Sequence, residues 1–203
     1  MLKLIARQAR HPKGVLGHLI ARIMTKTTAY ENSIAVNRLN VMPGDDVLEL
    51  GCGHGYILKQ IIRKAYPGRV VGVDPSLVML SVASRRLKDE VGSQNASLLV
   101  GDSDHIPVED GGFDKALSVH TIYFWSELQR GCQSLRRILR REGELLLVCH
   151  GADGPERLEH FPDEIYKFQF DDDMKLALVN AGFRDVDISI GADDIRYISA
   201  VAA

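Results

Sequence analysis

A set of glycines at alternate positions after a short apolar segment constrains the fold more than any other feature of this chain. Residues 47–55 read Val-Leu-Glu-Leu-Gly-Cys-Gly-His-Gly, and a second apolar segment, residues 70–73, is followed by Asp74. Glycine lets the backbone approach a ligand closely, and an acid that ends the next strand can accept hydrogen bonds from both hydroxyls of a ribose. The order of strand, glycine turn, helix, strand and acid therefore predicts half of a nucleotide-cofactor site in an α/β sheet.

The spacing of these glycines excludes the common phosphate-binding loops. In the dinucleotide pattern Gly-x-Gly-x-x-Gly the third glycine would fall at Tyr56, but here it comes one residue earlier. The chain also contains no Gly-Lys-Ser or Gly-Lys-Thr for a triphosphate. The pattern Glu-x-Gly-x-Gly-x-Gly, with an acid closing the next strand, instead resembles the class I S-adenosylmethionine-dependent methyltransferases. A glycine-rich turn in another kind of α/β protein is the alternative interpretation.

Further motifs extend the resemblance over nearly the whole chain. Gly101-Asp102-Ser103 is followed by Ile-Pro at residues 106–107 and by Phe-Asp at residues 113–114. This order is similar to the Gly-Asp-Ala, Leu-Pro and Phe-Asp run of small-molecule methyltransferases of the ubiquinone- and menaquinone-biosynthesis-like type. The alternative for Asp102 is a simple turn, because Gly-Asp is common in loops.

The resemblance implies which residues surround S-adenosyl-L-methionine, from which transfer leaves S-adenosyl-L-homocysteine. In such enzymes an acid after the first strand lies near the amino group, and the glycine loop follows it. An acid after the second strand binds the ribose, the loop after the third strand binds the adenine, and backbone at the end of the fourth strand holds the methionine part. The corresponding residues here are Glu49, Gly51, Cys52, Gly53, Gly55, Asp74, Pro75, Asp102, Ser103 and Val119.

The hydrophobic pattern alternates between strands and helices along the chain. Apolar runs predict strands at residues 47–50, 70–74, 97–100, 113–119, 144–149, 183–190 and 195–201. Helical spacing predicts helices at residues 56–66, after a cap at Ser76, at about 126–141 and at 171–182. The last two strands form a hairpin. The resemblance implies a Rossmann-like sheet of seven mostly parallel strands, helices on both faces and the last strand antiparallel between its neighbours.

Length and charge predict a single domain without an obvious polyanionic partner. At 203 residues the chain suits one α/β methyltransferase domain, with a helical lid at residues 1–40 and a Rossmann-like core at residues 41–203. The formal net charge of −2 gives no general attraction to nucleic acid, and no apolar run reaches the ~18 residues of a membrane span. Three cysteines without metal-ligand spacing favour a reducing, cytoplasmic location and neither a disulfide framework nor a zinc site. The oligomeric state is left open.

The segment after the fourth predicted strand contains the candidate catalytic residues and most of the candidate acceptor-binding residues. A sulfonium already activates its methyl group, so the enzyme mainly has to align a nucleophile and exclude water. His120 and Tyr123 are the candidate catalytic residues, with His120 as a general base for a hydroxyl, thiol or amine. The predicted acceptor-binding residues are Tyr30, His120, Tyr123 and Trp125. The alternative is that the aromatic rings are ordinary packing at a helix start and that His120 only orients the loop.

The residues after the fourth predicted strand argue against several subclasses of methyltransferase. Enzymes that methylate nucleobases or glutamine usually carry Asn/Asp-Pro-Pro-aromatic after the fourth strand, whereas residues 118–121 read Ser-Val-His-Thr. Catechol-type enzymes hold magnesium with carboxylates after strands four and five. Here His120 takes the first place and Asp153 alone is a weak substitute, so no metal is expected.

The first thirty residues hold six basic side chains and no acid. An apolar stripe at helical spacing predicts an amphipathic helix formed by Leu16, Leu19, Ile20, Ile23 and Met24. The resemblance implies that this helix and the segment from Tyr30 to Asn40 cover the cofactor as a lid. Residues 151–170 are the other predicted lid. A partner, a membrane surface or a solvated face are the alternatives for the basic helix.

These observations predict methyl transfer from S-adenosylmethionine to a small organic acceptor at an O, N, S or C atom. An alternative is a binding module that retains S-adenosylmethionine and acts as a partner or regulatory subunit. A further alternative is an RNA or protein methyltransferase that uses the basic segment.

Overall fold

The computed structural model describes residues 29–92, 95–152, 162 and 164–203, except the side chains of residues 29 and 30. The predicted helix at residues 16–24 and most of the predicted second lid, including Asp153, lie outside these residues. The helices are α1 Ala29–Arg38, α2 Tyr56–Ala65, α3 Leu77–Arg86, α4 Lys88–Gly92, α5 Leu128–Ile138 and α6 Asp171–Asn180. The strands are β1 Val47–Leu50, β2 Val70–Asp74, β3 Ala96–Val100, β4 Phe113–Val119, β5 Leu139–His150, β6 Phe183–Ile190 and β7 Ile195–Ala202. Two 3-10 turns cover Ile122–Phe124 and Ala192–Asp194.

The strands form one seven-stranded sheet in the order β3-β2-β1-β4-β5-β7-β6. Strands β1 to β5 are parallel, and β7 runs antiparallel between β5 and β6. This arrangement confirms the predicted Rossmann-like sheet and its terminal hairpin. The strand order reverses between β1 and β4, and open α/β sheets bind ligands outside the carboxyl ends of the strands at such a point. The glycine loop follows β1 there, and His120 follows β4.

Hydrophobic cores cover both faces of the sheet because neighbouring strand residues point to opposite sides. Leu48 and Leu50 of β1 pack on the side that also buries Leu135 of α5 and Leu178 of α6. Val47 packs on the other side, with buried residues of α1 and α2. Helices on both faces were predicted, and these two clusters confirm them.

Local signals set the bounds of the central helices. On α2 the apolar stripe is buried as the spacing predicts, and the helix ends at Ala65 just before Tyr66-Pro67. Helix α3 begins after Ser76, whose Oγ accepts a hydrogen bond from the backbone N–H of Met79 at 3.3 Å.

The predicted boundary between the helix and the strand that correspond to α5 and β5 is wrong. Helical spacing predicted a helix to about residue 141 and a strand from residue 144, but α5 ends at Ile138 and β5 begins at Leu139. Leu139 pairs with Phe113 of β4, and the guanidinium of Arg140 binds the carboxylates of Asp46 and Asp114. The register with β4 shifts in this region, so the strand bulges there. These contacts come from distant parts of the chain, and local spacing does not reveal them.

Candidate active site

The glycine loop after β1 is built on left-handed backbone. Gly51 has φ 78° and Gly53 has φ 51°, a region in which side chains are strained. A Cβ on Gly51 would lie 2.1 Å from Cγ2 of Thr121, so this glycine allows the loop after β4 to pack against the loop after β1. A Cβ on Gly53 would meet no atom within 4 Å among the described residues. The space beside Gly53 is therefore open to a ligand.

Asp74 connects the end of β2 to this loop. Its Oδ2 accepts a hydrogen bond from the N–H of Gly53 at 2.9 Å, and its Oδ1 accepts one from the N–H of Ser76 at 2.8 Å. Burial raises the pKa of the Asp74 carboxyl, while the two backbone hydrogen bonds oppose that rise. Each carboxylate oxygen keeps a further lone pair, so Asp74 can hold the loop and still accept from a ribose.

Glu49 indicates whether the amino group of S-adenosylmethionine suits this site. Its side chain is 2 % exposed, and among the residues that the structure describes its Oε2 has no hydrogen-bond partner. Burial, followed by the negative charge of Asp74, raises the pKa of Glu49 well above its ordinary range. A buried carboxyl without a partner is costly, and an ammonium group would satisfy it. The methionine part of S-adenosylmethionine carries such a group, so the residues present fit this cofactor.

The other predicted cofactor residues lie along the same edge of the sheet. Asp102 is exposed, and its Oδ1 accepts from the backbone N–H groups of Asp104 and His105, both at 3.0 Å. Ser103 is buried and Pro75 is exposed. Val119 ends β4 opposite Val148 of β5. Contact of these residues with the adenine or the methionine part stays a prediction.

Cys52 points away from the open side of the glycine loop. A Cβ on Gly72 of β2 would lie 2.8 Å from the Cys52 sulfur, so this thiol packs against the sheet. Burial raises its pKa well above the ordinary range, and the charges of Glu49 and Asp74 add to that rise. The thiol is therefore an inert packing group, and any contact with the cofactor would come from its backbone.

His120 lies in a chain of polar groups that three separate segments contribute. Its Nε2 is 2.5 Å from Oε2 of Glu31, a residue of α1, and its Nδ1 is 3.1 Å from the phenol oxygen of Tyr123. That phenol oxygen accepts a hydrogen bond from the backbone N–H of His150 at 2.5 Å. The rings of His120 and His150 stack with centroids 5.4 Å apart. We call Glu31, His120, Tyr123 and His150 the polar chain.

The charges in the polar chain follow from its hydrogen bonds. Burial favours a raised pKa for Glu31, but the hydrogen bond and charge of His120 and the charge of His150 lower the pKa overall. Burial, and then the charge of His120, lowers the pKa of His150. Burial raises the pKa of Tyr123 well above its usual value. At neutral pH the group therefore holds an anionic Glu31, a neutral His150 and a neutral Tyr123.

Two of the aromatic residues that were predicted to bind the acceptor are buried. Tyr123 is 3 % exposed and Trp125 is 6 % exposed. The indole N–H of Trp125 donates to Oγ1 of Thr121 at 3.1 Å, and a Cβ on Gly131 would lie 2.3 Å from the indole ring. Trp125 thus packs against α5, and its predicted contact with an acceptor stays untested. Tyr30 lies in α1, and its side chain is outside the described part.

Sequence reasoning missed Glu31 and His150 as members of this site. Glu31 is separated from His120 by 89 residues, and no local spacing connects them. The available signal was that Glu31 is the first acid in the chain, at the start of the predicted lid segment. Within the described ranges, no group of three or more His, Cys, Asp or Glu is arranged to hold a metal ion. Metal independence remains a prediction, since Asp153 lies outside those ranges.

Comparison with known proteins assigns the chain to a class. Residues 47–143 match the methyltransferase domain family. The chain is 28 % identical over 168 residues to YdaC, an uncharacterized methyltransferase of Bacillus subtilis, covering 82 % of this chain and 86 % of that protein. It is 30 % identical over 152 residues to a demethylmenaquinone methyltransferase of Thermotoga maritima, covering 74 % of this chain and 62 % of that protein.

A solved structure shares the fold. The crystal structure of an S-adenosylmethionine-dependent methyltransferase from Aquifex aeolicus superposes with a TM-score of 0.72 at 21 % identity, covering 85 % of this chain and 89 % of that one. The sheet order, the glycine loop and these relatives together define the class. The chain belongs to the class I S-adenosylmethionine-dependent methyltransferases, and S-adenosyl-L-methionine is its methyl donor. No helix among the described residues is both long and apolar enough to span a membrane.

Proposed function

We propose that this methyltransferase acts on a small organic acceptor, which binds beside Glu31 and His120. The observation that carries the proposal is the position of this pair at the carboxyl end of β4, next to the glycine loop. The side chains of His120 and Glu31 are 14 % and 16 % exposed, which favours contact with a small polar group over contact with an extended surface. The similarity to a demethylmenaquinone methyltransferase also supports a small-molecule acceptor.

The residues of the chain would perform three tasks in this reaction. Bound S-adenosylmethionine supplies an electrophilic methyl group on a positively charged sulfur. Glu49 and Asp74 would bind its amino and ribose groups, and the open backbone at Gly53 would allow close approach. The polar chain would orient the acceptor for in-line attack. Alignment and exclusion of water account for most of the acceleration in such a transfer.

Calorimetry and product formation test this proposal. The purified protein should bind S-adenosylmethionine or S-adenosylhomocysteine and release S-adenosylhomocysteine with at least one member of a metabolite panel. Asp74→Ala should weaken cofactor binding by about 1.5–3 kcal/mol if charge-assisted hydrogen bonds to the ribose are lost. The exposed Asp89→Ala is the matched control and should bind normally. Thermal unfolding of Asp74→Ala must be measured alongside, because Asp74 also holds Gly53 and Ser76.

Other outcomes would contradict the proposal or favour an alternative function. Tight NAD binding without a response to S-adenosylmethionine would contradict it. Cofactor binding without turnover on any acceptor would favour a partner or regulatory subunit, and steeply salt-dependent binding of RNA would favour a nucleic-acid acceptor. The cytoplasmic location and the division into a lid at residues 1–40 and a core at residues 41–203 also remain predictions.

A further inference from the structure

Both ring nitrogens of His120 have partners within the polar chain. Its Nδ1 lies 3.1 Å from the Tyr123 oxygen, which also accepts a hydrogen bond from the backbone N–H of His150. Its Nε2 lies 2.5 Å from Oε2 of Glu31. Among the described residues the carboxylate of Glu31 ends the polar chain; it contacts His120 through Oε2, and its side chain is 16 % exposed.

Both ends of the Glu31–His120 contact are fixed by backbone structure. Helix α1 buries Ala35 and Val36, and its last residue, Arg38, donates to Oγ of Ser189 at 2.6 Å. His120 has a left-handed φ of 54°, which is unfavourable for a residue with a Cβ. Strained residues of this kind cluster at functional sites, where the surrounding structure holds them in place. The carboxylate is thus presented on a rigid support beside the glycine loop.

We propose that Glu31 binds the acceptor directly and that the acceptor is an amine. This inference rests on the proposed function, because it names the acceptor class of that same site. It also revises the role of His120, which becomes a residue that positions Glu31 and not the base that contacts the acceptor.

Charge movement during the transfer favours a nitrogen acceptor. The bound ammonium first loses a proton to solvent, which frees the nitrogen lone pair. That lone pair forms the N–C bond while the C–S bond breaks and leaves its electron pair on sulfur. Positive charge thereby moves from sulfur to nitrogen, and the product leaves as the methylated ammonium. A carboxylate beside the nitrogen stabilises the charge that develops there. The same carboxylate would repel a phenolate, thiolate or carboxylate acceptor.

The direct test uses three probes that differ only in their polar group: benzylamine, benzyl alcohol and benzoate. Ligand-observed NMR with the full chain in saturating S-adenosylhomocysteine would give their dissociation constants. A charge-assisted hydrogen bond corresponds to about ten- to hundredfold in affinity, so benzylamine should bind at least about tenfold more tightly than benzyl alcohol. Benzoate should bind most weakly.

Two variants assign this preference to Glu31. Glu31→Gln keeps the size of the side chain and removes its charge, so the preference for benzylamine should disappear while affinity for S-adenosylhomocysteine is unchanged by calorimetry. The exposed Glu109→Gln changes the net charge equally and should keep the preference. A folded Glu31→Gln, checked by thermal unfolding, that still prefers benzylamine would overturn the inference. Loss of S-adenosylhomocysteine binding in that variant would also overturn it, by placing Glu31 at the cofactor.

Failure of this inference is separable from failure of the proposed function. Absence of saturable benzylamine binding overturns the inference alone if the protein still binds S-adenosylhomocysteine. Methyl transfer to alcohols or thiols but to no amine in the acceptor panel overturns it too, with the proposed function intact. Absence of cofactor binding or of transfer to every acceptor would contradict the proposed function itself.

Discussion

Replacement of Gly51 by alanine isolates the steric contact that joins the loops after β1 and β4. The added Cβ would lie 2.1 Å from Cγ2 of Thr121, and φ at this position is 78°. Left-handed backbone costs a residue with a Cβ about 1–2 kcal/mol, and overpacking costs about 1–3 kcal/mol. Thr121 cannot turn away freely, because its Oγ1 bonds to Ser118 and to the Trp125 indole. We therefore expect Gly51→Ala to lower the free energy of unfolding by about 2–5 kcal/mol.

A second substitution separates the two contributions. Thr121→Ser removes Cγ2 but keeps the hydroxyl that bonds Ser118 and Trp125. In that background Gly51→Ala should cost only the backbone part, about 1–2 kcal/mol. Urea unfolding of the four proteins in the cycle gives the interaction energy between the two sites. An equal cost of Gly51→Ala in both backgrounds would refute the packing argument, and the glycine would then be required only for its backbone conformation.

Four further substitutions test the loop and its charges. Gly53→Ala and Gly44→Ala both introduce a side chain at positive φ into open space, so each should cost about 1–2 kcal/mol in urea unfolding. Calorimetry should show weakened S-adenosylhomocysteine binding for Gly53→Ala alone, and normal binding by that variant would place the cofactor elsewhere. Burial, and then the charge of Arg86, lowers the pKa of His54 from 6.5 to about 4. The folded state therefore resists protonation, and stability should fall by at most about 3 kcal/mol as the pH drops from 6.5 to 4. His54→Gln should flatten that slope in urea unfolding at pH 7 and 5, and an unchanged slope would assign it to other groups. Glu49→Gln removes a desolvated carboxyl, so the free energy of unfolding should stay equal or rise while cofactor binding weakens. Unchanged cofactor affinity by calorimetry would contradict the role of Glu49 at the amino group of S-adenosylmethionine.

Most of the α/β framework could be predicted from the sequence because its signals are local. The spacing of Ile57, Leu58, Ile61 and Ile62 defines one face of α2, and Pro67 stops the helix shortly after it. Apolar runs bounded by turns located six of the seven strands to within about two residues, within the usual error of element boundaries. The fifth strand was the exception, because its first residues are held by pairing and by the contacts of Arg140 with Asp46 and Asp114.

The sequence by itself determined the cofactor half of the site, because strand, glycine turn and acid follow one another within a single βαβ unit. Only the tertiary structure decided the acceptor half. Glu31 and His120 are 89 residues apart and meet because α1 packs against one face of the sheet while β4 ends beside the glycine loop. Tyr123, three residues after His120, and His150 at the end of β5 complete the polar chain. A short-range pattern can specify a backbone turn, but a contact between side chains on distant elements exists only after the sheet has brought those elements together.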